Sequence, residues 1–219
     1  MKKKIKISFI GNSIKFVKIF KSIYPNAKLN FYSWRLLGRI LANKKVNQKS
    51  DIVVICGYDY SSQWYSYKKY YNYNVIYPLK IARMISKKNT KVFYMDTINK
   101  ITKKNYFKKK YTLSRYEFAK KELRKVLLKN FNLAKILTLP ILINEKNKAD
   151  VHGGSLTKII YNLLIRFDYL KIINRNNLKK IIIKKISSNR KDEVSSLNPL
   201  LLNIPRPLFF DRFLRFLND

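Results

Sequence analysis

Short apolar runs alternate with longer stretches of helical spacing along the first two thirds of this chain, and few folds accept that rhythm. Residues 4–10 (KIKISFI) read as a strand that stops at Gly11. Over 12–23, Ile14, Phe16, Val17, Ile19, Phe20 and Ile23 share one helix face. A second strand is predicted at 28–32, after the Pro25–Asn26 break, and a short helical pattern at 36–41. Residues 51–56 (DIVVIC) are the clearest buried strand, closed by Gly57. Helical spacing returns at 74–86, a strand at 91–95 (KVFYM), a long helix at 112–131 and a strand at 133–139 (LAKILTL), closed by Pro140. Strands alternating with helices in this way predict βαβ units around a parallel sheet, hence an α/β fold.

Beyond residue 144 the pattern weakens. A helix is expected at 156–167 and a basic apolar run of undecided type at 178–186, followed by a polar linker at 187–196. The tail contains LFFDRFLRFL, read as a packing helix in preference to a membrane contact. The 219 residues suit one good-sized domain over 1–165, with 166–219 as a short C-terminal extension packed on it.

Forty-eight Lys and Arg against 12 Asp and Glu give a formal charge of +36. Such a surface could bind phosphates, nucleic acid or an anionic membrane. Asn, Ile and Tyr are inflated along with Lys, however, and the basic residues run through every segment, which is what an A/T-rich genome would produce. No specific nucleic-acid partner is expected. Cys56 is the only cysteine and His152 the only histidine, so neither a disulfide nor a Cys- or His-based metal site is expected. The apolar runs fall short of the roughly 20 residues that span a bilayer, and the N-terminal one is soon broken by charge. A soluble, cytoplasmic protein is the expectation.

In a parallel α/β sheet, ligands bind beyond the carboxyl ends of the strands. Gly11, Asn12 and Ser13 fall there, as do Ser33–Arg35, the residues from Gly57 to Ser62, and Asp96–Thr97. A glycine directly after the first strand lets backbone approach a pyrophosphate, and the following helix offers its amino end. Ile14 and Val17 stand where further glycines would serve such a loop.

Five pieces, in order, resemble the extended short-chain dehydrogenase/reductase group, the NAD-dependent epimerase/dehydratase family. DIVVICGY (51–58) looks like its fourth strand. YNYNVIYPLKIARMI (71–85) resembles the next helix, giving Asn74 the place of the family asparagine. VFYMDTIN (92–99) is similar to the strand that ends in the catalytic Ser/Thr, here Thr97. YTLSR (111–115) looks like Y-x-x-S-K, with Tyr111 as catalytic tyrosine and Arg115 in the place of its lysine. NLAKILTLPILIN (132–144) resembles the strand and loop of the substrate cleft. Tyr116 and Lys120 form an alternative Y-x-x-x-K; the first register matches the family pattern better.

The resemblance implies a Rossmann-like, doubly wound parallel sheet with helices on both faces, and an NAD(P)-dependent oxidoreductase or epimerase acting on a nucleotide-linked sugar, as in polysaccharide biosynthesis. It implies cofactor contacts at Gly11, Asn12, Ser13, Ile14, Arg35, Cys56, Gly57, Asn74 and Pro140, and it allows a homodimer. With no acidic residue at 33–35 and Arg35 present, NADP is preferred over NAD. A cation four residues after a tyrosine shares its helix face and lowers its phenol pKa toward neutrality. Two alternatives stand beside this reading: a non-catalytic relative that has lost the cofactor loop, and a basic polyanion- or membrane-binding protein.

Overall fold

The computed structural model describes residues 4–37, 49–59, 65–97, 115–150, 155–167 and 172–189. Five strands form the main sheet: β1 (Lys6–Ile10), β2 (Lys28–Tyr32), β3 (Ser50–Ile55), β4 (Ser86–Thr97) and β5 (Ala134–Leu139). Their order is β2-β1-β3-β4-β5, and every neighbouring pair is parallel. This is the doubly wound α/β architecture expected from the sequence.

The central strands are apolar at successive positions because both faces of the sheet are covered. Ile7, Phe9, Ile52, Val54, Phe93, Met95, Leu137 and Leu139 belong to one core. Helix α1 (Ile14–Ile23) completes it with Phe16, Ile19 and Phe20. The residues between them, Val53, Ile55, Val92, Tyr94 and Ile136, belong to the core on the other face. There they meet α2 (Tyr67–Ile85) and α3 (Arg115–Asn130), the latter through Leu123 and Leu127.

Helix α2 is continuous but not uniform: Tyr67–Tyr71 is α-helical, Asn72–Ile76 a π-helical turn, and Tyr77–Ile85 α-helical again. It therefore begins seven residues before the apolar spacing announced it. β4 also starts early, at Ser86, with a register irregularity against β3 between Ser50 and Ile52. Thr90 settles that polar start: its hydroxyl donates to the Ser50 carbonyl at 2.6 Å and accepts from the Lys87 N–H at 2.8 Å.

After β5 the chain makes two three-residue strands, β6 (Ile141–Ile143) and β7 (Ile172–Asn174), paired in parallel as a separate small sheet. Helix α4 (Ser155–Arg166) lies between them in sequence. The undecided basic run is helix α5 (Arg175–Ser187). Its Leu178 and Ile182, one turn apart, enter the α1-side core while Lys180 and Lys184 stay exposed. The carboxyl end of α5 meets cations from the sheet, which suits the negative end of a helix dipole. Lys91 donates to the Ile186 carbonyl, and Lys135, fully buried on β5, reaches the Ser188 hydroxyl at 3.4 Å.

Among the described residues no helix is long and apolar enough to cross a membrane. The strand order places β2 on one side of β1 and β3 on the other, so the chain reverses direction across the sheet at the β1/β3 boundary. That is the switch point at which ligands of such sheets lie.

Candidate functional site

β1 runs out at Ile10, and the carboxyl ends of its neighbours are tied to it there. The Gly11 N–H donates to the Tyr32 carbonyl and the Cys56 N–H to the Ile10 carbonyl, both at 3.0 Å. Gly11 then adopts φ 96°, a left-handed conformation that favours glycine. Asn12 and Ser13 lead into α1, whose first turn has no acidic side chain. Ser13 stands at the N-cap position, yet its hydroxyl caps nothing. It is buried, only 5% exposed, and its Oγ has no hydrogen-bond partner among the described residues.

A cleft of about 300 Å³ opens at this helix start, lined by Asn12, Ser13, Ile14, Lys15, Lys18, Asp150 and Arg175. The Lys15 ammonium donates to the Asp150 carbonyl at 2.5 Å and lies 3.8 Å from its carboxylate, with Arg175 3.7 Å from the same side chain. Burial lowers the Lys15 pKa; Asp150 opposes that shift and Arg175 adds to it. Three cations, one carboxylate and the positive end of a helix suit an anion of the phosphate type.

The other side of the switch point is built differently. After β2 the chain makes a 3₁₀ turn, Trp34–Leu36, and the Trp34 indole lies over both Gly11 and Gly57. A Cβ on Gly11 would sit 2.9 Å from Trp34 Cζ3, and one on Gly57 would sit 2.7 Å from that atom. Trp34 is 7% exposed, and its Nε1 has no partner among the described residues. Next to it, Arg35 pairs with the buried Asp59. The Asp59 N–H donates to Asn74 Oδ1 at 2.8 Å, and Asn74 Nδ2 donates to the Tyr70 carbonyl at 3.1 Å. Arg35 and Asn74, both expected at a cofactor, thus tie the β2 and β3 loops to α2.

A dinucleotide lies across such a switch point with its phosphates at the first helix. The diphosphate fits, because the orphaned Ser13 hydroxyl and the basic cleft can receive it. The adenosine half does not fit while the indole covers the two glycines.

Cys56 is half-buried, its Sγ 3.8 and 3.7 Å from the carbonyl oxygens of Ile10 and Gly11. Burial pushes its thiol up to about 12, the behaviour of a packing residue. Thr97 ends β4 in register with Leu139, and Pro140 follows between β5 and β6. Tyr111 lies outside the described residues, and Arg115 is the first residue of α3. Lys120 of the alternative pair is buried; its Nζ lies 3.4 Å from the Met95 carbonyl, to which it donates, and 5.0 Å from the Tyr94 ring centroid. One turn on, Arg124 pairs with Asp96. Helix α3 therefore turns two cations to the carboxyl end of β4. Sequence reasoning placed Trp34 in the 33–35 cluster without a role of its own, and missed Lys15, Lys18, Asp150 and Arg175. Only the lysines carried a signal, as neighbours one turn apart at the start of a helix that follows a glycine.

No known family model matches the sequence, and no curated protein does. Solved structures match the fold. The dTDP-4-dehydrorhamnose reductase of Clostridium acetobutylicum superposes with a TM-score of 0.55 at 15% identity, over 86% of this chain and 72% of that one. The ADP-L-glycero-D-manno-heptose-6-epimerase of Helicobacter pylori gives 0.58 at 12%, over 86% and 75%. The dTDP-glucose 4,6-dehydratase of Bacillus anthracis, in complex with NAD, gives 0.50 at 11%, over 85% and 73%. At such identities the likeness speaks for architecture: the protein has the Rossmann-like α/β fold that these three sugar-nucleotide enzymes share.

Proposed function

We propose that the protein is an NAD(P)-dependent oxidoreductase or epimerase acting on a nucleotide-linked sugar. The observation that carries this reading is the amino end of α1. There Ser13, whose buried hydroxyl has no partner among the described residues, lines a cleft with Lys15, Lys18 and Arg175, at the switch point of the fold. Asn12, Ser13 and the first-turn amides of α1 would hold the diphosphate. Residues 33–35 at the end of β2 contain no acidic residue, which favours NADP over NAD, and Arg35 would have to turn from its ion pair with Asp59 to meet a 2′-phosphate. The nicotinamide, when bound, supplies hydride exchange with a carbon of the sugar.

Acid–base work falls to a tyrosine on or near the first turn of α3, with Thr97 as hydrogen-bond partner of the reacting oxygen. Tyr111 with Arg115 is one assignment and Tyr116 with Lys120 the other. The burial of Lys120 against the end of β4 supports the second, since a compact ammonium four residues on favours the phenolate.

Calorimetric titration with NADPH and NADH tests the first step; failure of both to bind at millimolar concentration sinks the reading. Turnover on nucleotide sugars tests the second. Tyr116→Phe is expected to lower it by about 10²–10⁴-fold without changing NADPH affinity. The same loss on Tyr111→Phe, with Tyr116→Phe active, would return the role to the first register. A second reading, a relative that keeps the fold without the cofactor, is favoured by Ile14 and Val17 at the start of α1 and by the indole over Gly11 and Gly57.

A further inference from the structure

We infer that Trp34 is a plug in the switch-point crevice, its indole competing with the adenosine half of a nucleotide for the space over Gly11 and Gly57. The inference rests on reading this crevice as a nucleotide site, and four observations carry it.

The two glycines come from different strands, one directly after β1 and one two residues after β3, and they meet where the sheet reverses. Bare backbone at that point leaves room for a ligand. The indole fills the room: a side-chain carbon on either glycine would collide with it. Next, the indole N–H finds no acceptor among the described residues although Trp34 is 7% exposed. Buried tryptophans usually do find one, so among the described residues this seat is held by packing alone. Third, the side chain is carried by a three-residue 3₁₀ turn that follows β2, so the indole, though packed in the core on the α2 side, occupies no position of the β-ladder. Fourth, the plug covers only one half of the site. Asn12, Ser13, Lys15 and Arg175 line the separate cleft at α1, and Trp34 is not among its walls.

The chain therefore discriminates by ligand shape. A bare diphosphate meets the α1 cleft with the plug in place. A ligand that extends an adenosine toward β2 must first displace the indole, and its affinity is reduced by the fraction of molecules with the plug out.

The test titrates pyrophosphate, ADP-ribose and NADPH into the unaltered protein, Trp34→Ala and Trp34→Leu, the last keeping apolar bulk in the core for the case that the smaller residue unfolds. ADP-ribose is expected to bind about tenfold tighter or better to the variants, with pyrophosphate affinity the same in all three. In a Trp64→Phe background Trp34 is the only tryptophan, and its emission is expected to shift to the red as ADP-ribose saturates. Equal ADP-ribose affinity in all three proteins, with unchanged emission, overturns the plug and leaves the cofactor reading intact. NADPH binding to the variants but not to the unaltered protein supports the plug and overturns the cofactor reading for the native chain. No ADP-ribose binding to any of them overturns both.

Discussion

Gly57 has an ordinary backbone conformation, so its lack of a side chain is explained by its neighbour. The indole of Trp34 packs where a Cβ would be. Gly57→Ala is expected to cost about 1–3 kcal/mol, the range for overpacking a core, read as a lower urea midpoint. In a Trp34→Ala background most of that cost should vanish, and the double-mutant cycle measures the contact directly. An equal cost in both backgrounds would show that the indole is not the reason for the glycine. Gly11 differs, because its φ of 96° charges any side chain a backbone penalty whatever lies above it. A loss of ligand binding on Gly11→Val would thus report the turn and the indole contact as readily as a pyrophosphate. None of this was legible beforehand. Glycines after strands are visible in a sequence, but nothing there says that residues 11, 34 and 57 meet.

The strands were legible because burial on both faces writes itself as unbroken apolar runs, as in 51–56 and 133–139. The helices were legible only where their period is regular. In α2 the first two buried apolar residues, Tyr70 and Val75, are five apart. The step of five is the π turn at Asn72–Ile76, which conceals the first part of the helix from a 3.6-residue template. β6 and β7 are too short, at three residues each, to show any alternation. The α1 side of the candidate site could be read from its local sequence, whereas Asp150 and Arg175 reach it only through tertiary folding. Asn74 holds the irregular helix in place: its amide donates to the Tyr70 carbonyl and accepts from the Asp59 N–H. Asn74→Ala is expected to cost about 1–3 kcal/mol, because it leaves buried polar groups unpaired. Asn74→Leu should fare no better despite its matching size, since the missing partners and not the volume decide. Chemical denaturation followed by circular dichroism checks both, and a variant as stable as the parent would remove the amide from its assigned role.

For the molecule as a whole, four basic side chains for each acidic one mean that pairing cannot neutralise the surface. The described aspartates are already engaged: Asp51 with Lys87, Asp59 with Arg35, Asp96 with Arg124, and Asp150 with Lys15 and Arg175. Self-repulsion then opposes the compact state, and screening should relieve it. Raising salt from about 0.1 M to about 1 M shortens the screening length from about 10 Å to about 3 Å, so the melting temperature is expected to rise with sodium chloride. Pyrophosphate at matched ionic strength is expected to raise it further, because an anion seated in the α1 cleft binds only the folded chain. That excess should disappear in a Lys15→Gln, Lys18→Gln double variant while the sodium chloride response persists. If both salts act alike at equal ionic strength, the charge at α1 is part of the general background and the cleft is no anion site. If the excess survives the double variant, the anion binds elsewhere on the basic surface. The two responses separate a surface that is basic by composition from one small region where charge, an orphaned hydroxyl and a helix amino end coincide.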